Sequence, residues 1–290
     1  MSERNGDRIG LIGWPVGHSV SPPMQNAAFA AAGLPLRYVL LETPPQRLRE
    51  AVKGLAGEGY VGANVTVPYK EAILELLDAV DPGAAAVGAA NTLVIRAGGV
   101  IGYNTDEAGF LAALSHGGID PRSCRHAVVV GAGGAGRAVA RALLDSGATL
   151  SLLNRTVERA ERLLASMEED LAVERGRALP FTAERLVQEV ASADLLVNAT
   201  TVGMHPHNSA SIWPSGHAMP SRLRVVDLVY NPPETALLRE AQRSGCDVVG
   251  GIEMLVQQGA RAFALWTGRA APIETMREAC HRVLGGDEVP

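Results

Sequence analysis

The chain has 290 residues, 47% of them hydrophobic and 4% aromatic, with a formal net charge of −5. That length suits one large domain or two ordinary ones with real apolar cores. The mild negative charge and the lack of any basic run argue against nucleic acid as a partner, and the apolar stretches fall short of the ~20 residues of a membrane helix.

The opening "MSERNGDRIG" is charged and lacks the apolar core of a secretory signal, so a cytoplasmic protein is expected. A strand over 8–14 ("RIGLIGW") comes first. A helix over 21–33 follows, with Ser21 as its N-cap, Pro22 in its first turn and Gly33 at its end. A strand over 36–42 leads to a helix over 46–56, which carries Lys53 on its polar side. The strand "GYVGANVTV" (59–67) is closed by Pro68, and "YKEAILELLD" after it has helical spacing. "AANTLVI" and "GVIGYNTD" form a hairpin-like pair around Gly98-Gly99, and a helix over 107–118 follows. A polar break at 119–126 separates this region from a second alternating unit, which opens "AVVVGAGGAGRAVARALLDSGATLSLLNRT". Its later elements are helices at about 157–169 and 183–191, strands at 194–200 and 223–230, a helix at about 234–244 and the strand segment 247–251. Two more helices, "GIEMLVQQGARAFALWTG" and "PIETMREACHRVL", close the chain. The fold class expected is α/β, with parallel strands, helical crossovers and a doubly wound sheet covered on both faces.

Cys124, Cys246 and Cys280 are far apart, odd in number and in no CxxC spacing. That pattern fits a reducing compartment and small buried side chains, not a disulfide framework or a zinc site. No HExxH occurs, and "HPH" at 205–207 reads as a solvated loop, so no metal is expected.

Gly131, Gly133 and Gly136 stand in GxGxxG spacing between an apolar run and an amphipathic helix. In that context the glycines allow a tight turn that brings backbone amides and a helix N-terminus to a pyrophosphate. An NAD site usually ends the next strand with Asp or Glu on the ribose 2′-OH. This chain has Asn154 there, then Arg155 and, four residues on, Arg159. A carboxylate would repel a 2′-phosphate, whereas the two guanidinium groups could grip it, so NADP is expected over NAD. Ordinary surface arginines are the alternative for Arg155 and Arg159.

Reversible hydride transfer to a ketone needs a group that exchanges a proton with the oxygen. No YxxxK is present. Of 26 basic residues only Lys53 and Lys70 are lysines, and lysine, unlike arginine, can release its proton. Lys70 sits at the carboxyl end of a strand, where ligands bind in open α/β sheets. Asp106 sits at another strand-to-helix junction and could orient the ammonium. A surface charge for Lys70 and a helix cap for Asp106 remain the alternatives from spacing alone.

Together, "GWPVGHSVSPPMQNAAF", "GANVTVPYKEA", "GAANTLV", "GYNTDEAGF", "GAGGAGRA", "NRT", "NATTVGM", "VVDLVYNPPET" and "GIEMLVQQGARAFALWTG" resemble the motifs of shikimate dehydrogenases, in family order from about residue 9 to 268. The resemblance implies reversible NADPH-dependent reduction of 3-dehydroshikimate to shikimate in aromatic amino-acid biosynthesis, with Lys70 and Asp106 as the catalytic pair. It implies that Ser19 and Ser21 hold the substrate carboxylate and that Asn64, Thr66, Asn91 and Gln258 hold its hydroxyls, with Tyr230 nearby. For the cofactor it implies the turn Gly131, Ala132, Gly133, Gly134, Ala135 and Gly136 with Arg137 beside it, Asn154, Arg155, Thr156 and Arg159 at the adenosine end, and Leu228 and Gly251 near the nicotinamide. It implies a substrate domain of about 1–106 plus 252–290 and a Rossmann-type NADP domain of 107–251, with monomer and homodimer both open. Gln25 stands where the family often has His. Two other readings stay open: a quinate/shikimate dehydrogenase with relaxed use of NAD and NADP, and a catalytically silent NADP-binding sensor.

Overall fold

The computed structural model describes residues 8–97, 99–167 and 175–285, and the chain divides into two compact units. One unit takes in residues up to Thr105 and from Val256 onward; the other is continuous, Asp106–Leu255.

The first unit is built on β1 (Arg8–Gly13), β2 (Arg37–Glu42), β3 (Tyr60–Val65), β4 (Ala79–Val80), β5 (Thr92–Arg96) and β6 (Gly99–Tyr103), in the order β2-β1-β3-β5-β6-β4. β1 runs parallel to β2 and β3, whereas β5 is antiparallel to β3 and β6. Its helices include α1 (Ser21–Ala31), α2 (Leu48–Leu55) and α3 (Pro82–Val87). α2 buries Leu48, Val52 and Leu55, the three- and four-residue spacing of a single apolar stripe. Asp81 caps α3 by accepting the Gly83 amide at 3.0 Å.

The second unit begins with α4 (Asp106–His116). It continues through β7 (His126–Val130), α5 (Gly134–Asp145), β8 (Thr149–Asn154), α6 (Val157–Ala165), β9 (Gly176–Pro180) and α7 (Ala183–Val190). β10 (Leu195–Asn198), β11 (Arg224–Asp227), α8 (Ala236–Arg243) and β12 (Asp247–Val249) complete the pattern. All six strands are parallel, in the order β12-β11-β10-β7-β8-β9. Counted within the unit this is 3-2-1-4-5-6, the doubly wound dinucleotide order, whose switch point lies between β7 and β10. Ala127 and Val129 pack into one core with Val139 and Leu143, and Val128 and Val130 into another with Leu186 and Leu196. Both faces are therefore covered, which explains the unbroken "AVVV".

The boundary between units falls within α9 (Gly251–Thr267), and α10 (Ile273–Leu284) follows it. The late segment belongs to the first unit's core: the Phe29 and Phe263 rings stack at 5.4 Å, and Trp266 Nε1 donates to the Leu93 carbonyl at 2.9 Å.

The structure departs from several sequence expectations. The segment after Pro68 is not an α-helix but a 3-10 turn over Ala72–Leu76. Only Ile73 of that turn is buried, and Asp78 ties the chain to β6 through both its amide and its carboxylate, 3.0 and 2.8 Å from Val100. Ser21 is the first residue of α1 and not its cap; Val20 takes that place, and Ser19 Oγ accepts the Ser21 amide at 3.2 Å. The helix expected at 46–56 begins as a separate 3-10 turn, Pro45–Arg47. β4, α3 and β9 were not anticipated. "GRALP" has no apolar alternation and succeeds as a strand only as the sheet's edge. Gly98 of the hairpin, and residues 168–169 of the helix expected after 157, lie outside the described residues.

Among the described residues no helix is long and apolar enough to cross a membrane, and no His/Cys/Asp/Glu group could hold a metal ion. All three cysteines are buried; burial raises the thiols of Cys124 and Cys246 and pushes that of Cys280 up to about 12.

Candidate active site

In the first unit, polar side chains from three distant segments meet in one network. The Asn64 side chain, on β3, accepts from Tyr38 Oη at 2.8 Å and donates to the Asn91 carbonyl and to Thr92 Oγ1, both at 3.0 Å. Both of its N–H groups are therefore engaged, which leaves it one lone pair on Oδ1. Asn91 Nδ2 donates to Thr105 Oγ1 at 2.9 Å and to Gln258 Oε1 at 3.2 Å, while its Oδ1 accepts the Thr105 amide at 2.8 Å. Asn64, Asn91 and Thr105 are all buried, and the network fixes which way each amide points.

Lys70 lies on the turn beyond Pro68, half-buried, and its carbonyl accepts the Ala90 amide at 2.8 Å. The neighbouring Ala89 carbonyl accepts from Asn104 Nδ2 at 2.8 Å, and the Asn91 amide donates to Tyr103 at 3.0 Å. The lysine turn is thus stitched to the end of β6. Asp106, 3% exposed, follows Thr105 directly and opens α4.

Ser19 and Ser21 are joined through the bond that starts α1, and Ser21 is buried. Thr66 leaves β3 with its amide on the Ile12 carbonyl and its own carbonyl on the Tyr69 amide, each at 2.9 Å. Gln25, fully buried, donates to the Gly259 carbonyl at 3.0 Å, next along α9 from Gln258. The residue that departs from the family motif therefore anchors the helix that carries Gln258.

In the second unit the glycine turn follows β7. Gly131 has φ +111°, open to glycine at little cost, and a side chain at Gly136 would collide with the Gly131 carbonyl. Backbone from Gly131 through Gly133 leads into the N-terminus of α5, where Gly134 and Ala135 are the first residues. A Cβ at Gly133 would meet nothing within 4 Å, so the turn leaves its outer side open to a ligand. The Ala132 amide donates to Asn154 Oδ1 at 3.1 Å, and Asn154 Nδ2 donates to the Thr156 carbonyl at 2.8 Å. Asn154 thereby clamps the turn to the loop that bears Arg155, and both Arg155 and Arg159 are exposed there. Arg137, on α5, points instead to Ser166, with Nη1 donating to its Oγ at 3.0 Å.

Beside the switch point a buried acid organises the ends of β10 and β11. Asp227 Oδ1 accepts from Asn198 Nδ2 at 2.9 Å and from the Val229 amide at 3.0 Å, and its Oδ2 accepts from Thr235 Oγ1 at 2.6 Å. Burial pushes its carboxyl up to about 6 against those three bonds. The network shapes the turn of Leu228, Val229 and Tyr230, and Gly251 packs directly against the Leu228 and Val229 carbonyls. Asn198, Asp227 and Thr235 were not singled out from sequence, although each lies in a quoted motif, "NATTVGM" or "VVDLVYNPPET".

Comparison with known proteins covers most of the chain. The family described as "Shikimate dehydrogenase substrate binding domain" matches residues 11–93, "Shikimate / quinate 5-dehydrogenase" matches 114–232 and "Shikimate 5'-dehydrogenase C-terminal domain" matches 251–281. The shikimate dehydrogenase (NADP(+)) of Methanopyrus kandleri is 48% identical over 273 residues, 93% of each chain. A crystal structure of a shikimate dehydrogenase in complex with NADP+ superposes with a TM-score of 0.89 at 38% identity, covering 98% of each chain. That of shikimate 5-dehydrogenase from Thermus thermophilus, in complex with NADP(H) and shikimate, gives 0.84 at 41% identity, covering 96% of this chain and 100% of the other.

Proposed function

The chain belongs to the shikimate dehydrogenase family and catalyses the reversible NADPH-dependent reduction of 3-dehydroshikimate to shikimate, and we propose the following roles for its residues. Residues from Asp106 to Leu255 hold NADPH. The amides of the Gly131–Gly136 turn and the start of α5 receive its pyrophosphate, and Arg155 and Arg159 receive its 2′-phosphate. Asn154 keeps the turn and that loop in register. Leu228 and Gly251 line the nicotinamide position. NADPH supplies the hydride.

The first unit holds the substrate. Ser19 and Ser21 take the carboxylate, and Thr66, Asn91 and Gln258 take the ring hydroxyls, with Asn64 acting chiefly by fixing Asn91. Lys70, as ammonium, donates a proton to the carbonyl oxygen as that oxygen becomes a hydroxyl. In the reverse direction the amine removes it. Asp106 orients the ammonium. The reaction takes place in the cytoplasm, a setting consistent with three buried free cysteines.

One observation supports this reading above the rest: Asn64, Asn91 and Gln258, from segments almost 200 residues apart, meet in a network whose backbone also holds the Lys70 turn. Directed hydrogen bonds of this kind suit a small polyhydroxy acid. Steady-state rates with shikimate and with quinate, each with NADP and with NAD, test the assignment. Shikimate with NADP is expected to be the preferred pair by at least about tenfold. Equal rates with quinate or with NAD would favour the relaxed quinate/shikimate enzyme.

A further inference from the structure

We infer that the amino ends of β7, β8 and β9 form a binding site for a small oxyanion carrying two charges. The site lies at the far end of the sheet from the glycine turn, since the five residues of β7 separate His126 from Gly131 by about 17 Å. A cavity of about 570 Å³ is lined there by Arg125, His126, Arg175 and Arg177, with Asp194 as the one carboxylate among the described lining residues.

The positive charge in this cavity exceeds the negative among the described residues. Arg177 is committed to Glu189, 2.8 Å away. Asp194 Oδ2 accepts the Arg125 and His126 amides at 2.8 and 3.1 Å. Burial would raise the Asp194 carboxyl, but those amides, together with the positive charges of Arg125 and Arg224, outweigh it and hold the group below the usual carboxylate range. The guanidinium groups of Arg125 and Arg175 have no hydrogen bond or ion pair among the described residues. Their backbones, in contrast, are fixed: the Arg125 carbonyl accepts the Thr149 amide and the Arg175 carbonyl the Leu150 amide, each at 2.7 Å. Two cations on a rigid frame therefore face the same space.

His126 is fixed beside them. Ser151, fully buried, donates its one hydroxyl proton to Glu189 Oε2 at 2.7 Å. Ser151 Oγ must then accept from His126 Nε2, 3.0 Å away, as it does from Arg177 Nη2 at 3.2 Å. That fixes the ring and leaves Nδ1 facing Ser192 Oγ at 3.4 Å. The two guanidinium forks, each offering paired N–H groups, match a phosphate-sized dianion, and the fixed imidazole walls the space beside them.

The test uses enzyme saturated with NADP, so that the nucleotide's own phosphate already fills the place beside Arg155. Inorganic phosphate is titrated against chloride at constant ionic strength, and the His126 ring signals are followed by NMR, assigned through His126→Gln. A saturable phosphate shift is expected, with affinity at least about tenfold weaker in the Arg125→Ala/Arg175→Ala double variant, whose turnover of shikimate and unfolding temperature stay as in the parent. Equal shifts with chloride, or unchanged phosphate affinity in the double variant, would overturn the site. The outcome is independent of the reaction assigned above, because failure to turn over shikimate would refute that assignment and leave these binding results standing.

Discussion

Asn154 Oδ1 accepts the Ala132 amide at 3.1 Å, so the residue that stands in place of an acidic ribose ligand also pins the glycine turn. Asn154→Asp preserves that acceptor but sets a negative charge beside the proposed 2′-phosphate position. NADP kcat/KM is expected to fall about 10- to 100-fold, with NAD affected much less, in steady-state assays with each nucleotide. Asn154→Ala, which releases the turn, is expected to weaken both nucleotides together.

Arg155→Ala is expected to weaken NADP by about 10- to 100-fold, the loss of one charge-assisted contact, and NAD hardly at all. Fluorescence titration with each nucleotide measures this. Equal weakening of both would remove the 2′-phosphate role.

Lys70→Ala is expected to lower turnover by about 10³-fold, within the range of a lost general acid, while shikimate affinity measured by calorimetry changes little. Unchanged turnover would leave Lys70 no part in proton transfer.

Asn91→Ala leaves the buried Thr105 amide without its acceptor and takes the Asn91 donor away from Gln258. A stability loss of about 1–3 kcal/mol is expected in urea unfolding, accompanied by a raised KM for shikimate.

Asp227 gives a pH signature. Its carboxyl titrates at about 6 in the folded chain, above the value of about 4 expected when unfolded. A group raised on folding contributes stability that is fully present below its unfolded value and is lost as pH rises through its folded one. The stability of the parent relative to Asp227→Asn is therefore expected to fall by about 2 kcal/mol between pH 4 and pH 7. A difference that stays flat across that interval would contradict the burial argument.

The features most legible in the sequence were those carried by local spacing. The Gly131–Gly136 turn, the apolar run of β7 and the stripe of α2 each follow from a few adjacent residues. What escaped depends on partners distant in the chain. The segment after Pro68 has helical spacing, but Asp78 is drawn onto β6 by Val100, which spacing cannot register. β9 carries little apolar signal and exists because β8 offers it an edge. Asp227 sits in an unremarkable "VVDLVY", and its role appears only when residues 198, 229 and 235 surround it. The dual role of Asn154 was half legible: the missing acid could be read, but the clamp on Ala132 required the strand register.

The first unit draws on both ends of the chain, with α1 stacked against the late Phe263, whereas the second is an uninterrupted run. During synthesis, then, the middle of the protein can finish folding while its opening strands still lack half their cover. Met24, Gln25 and Phe29 must stay exposed on the ribosome until α9 and α10 emerge, and in that interval this chain is most open to aggregation and most in need of a chaperone.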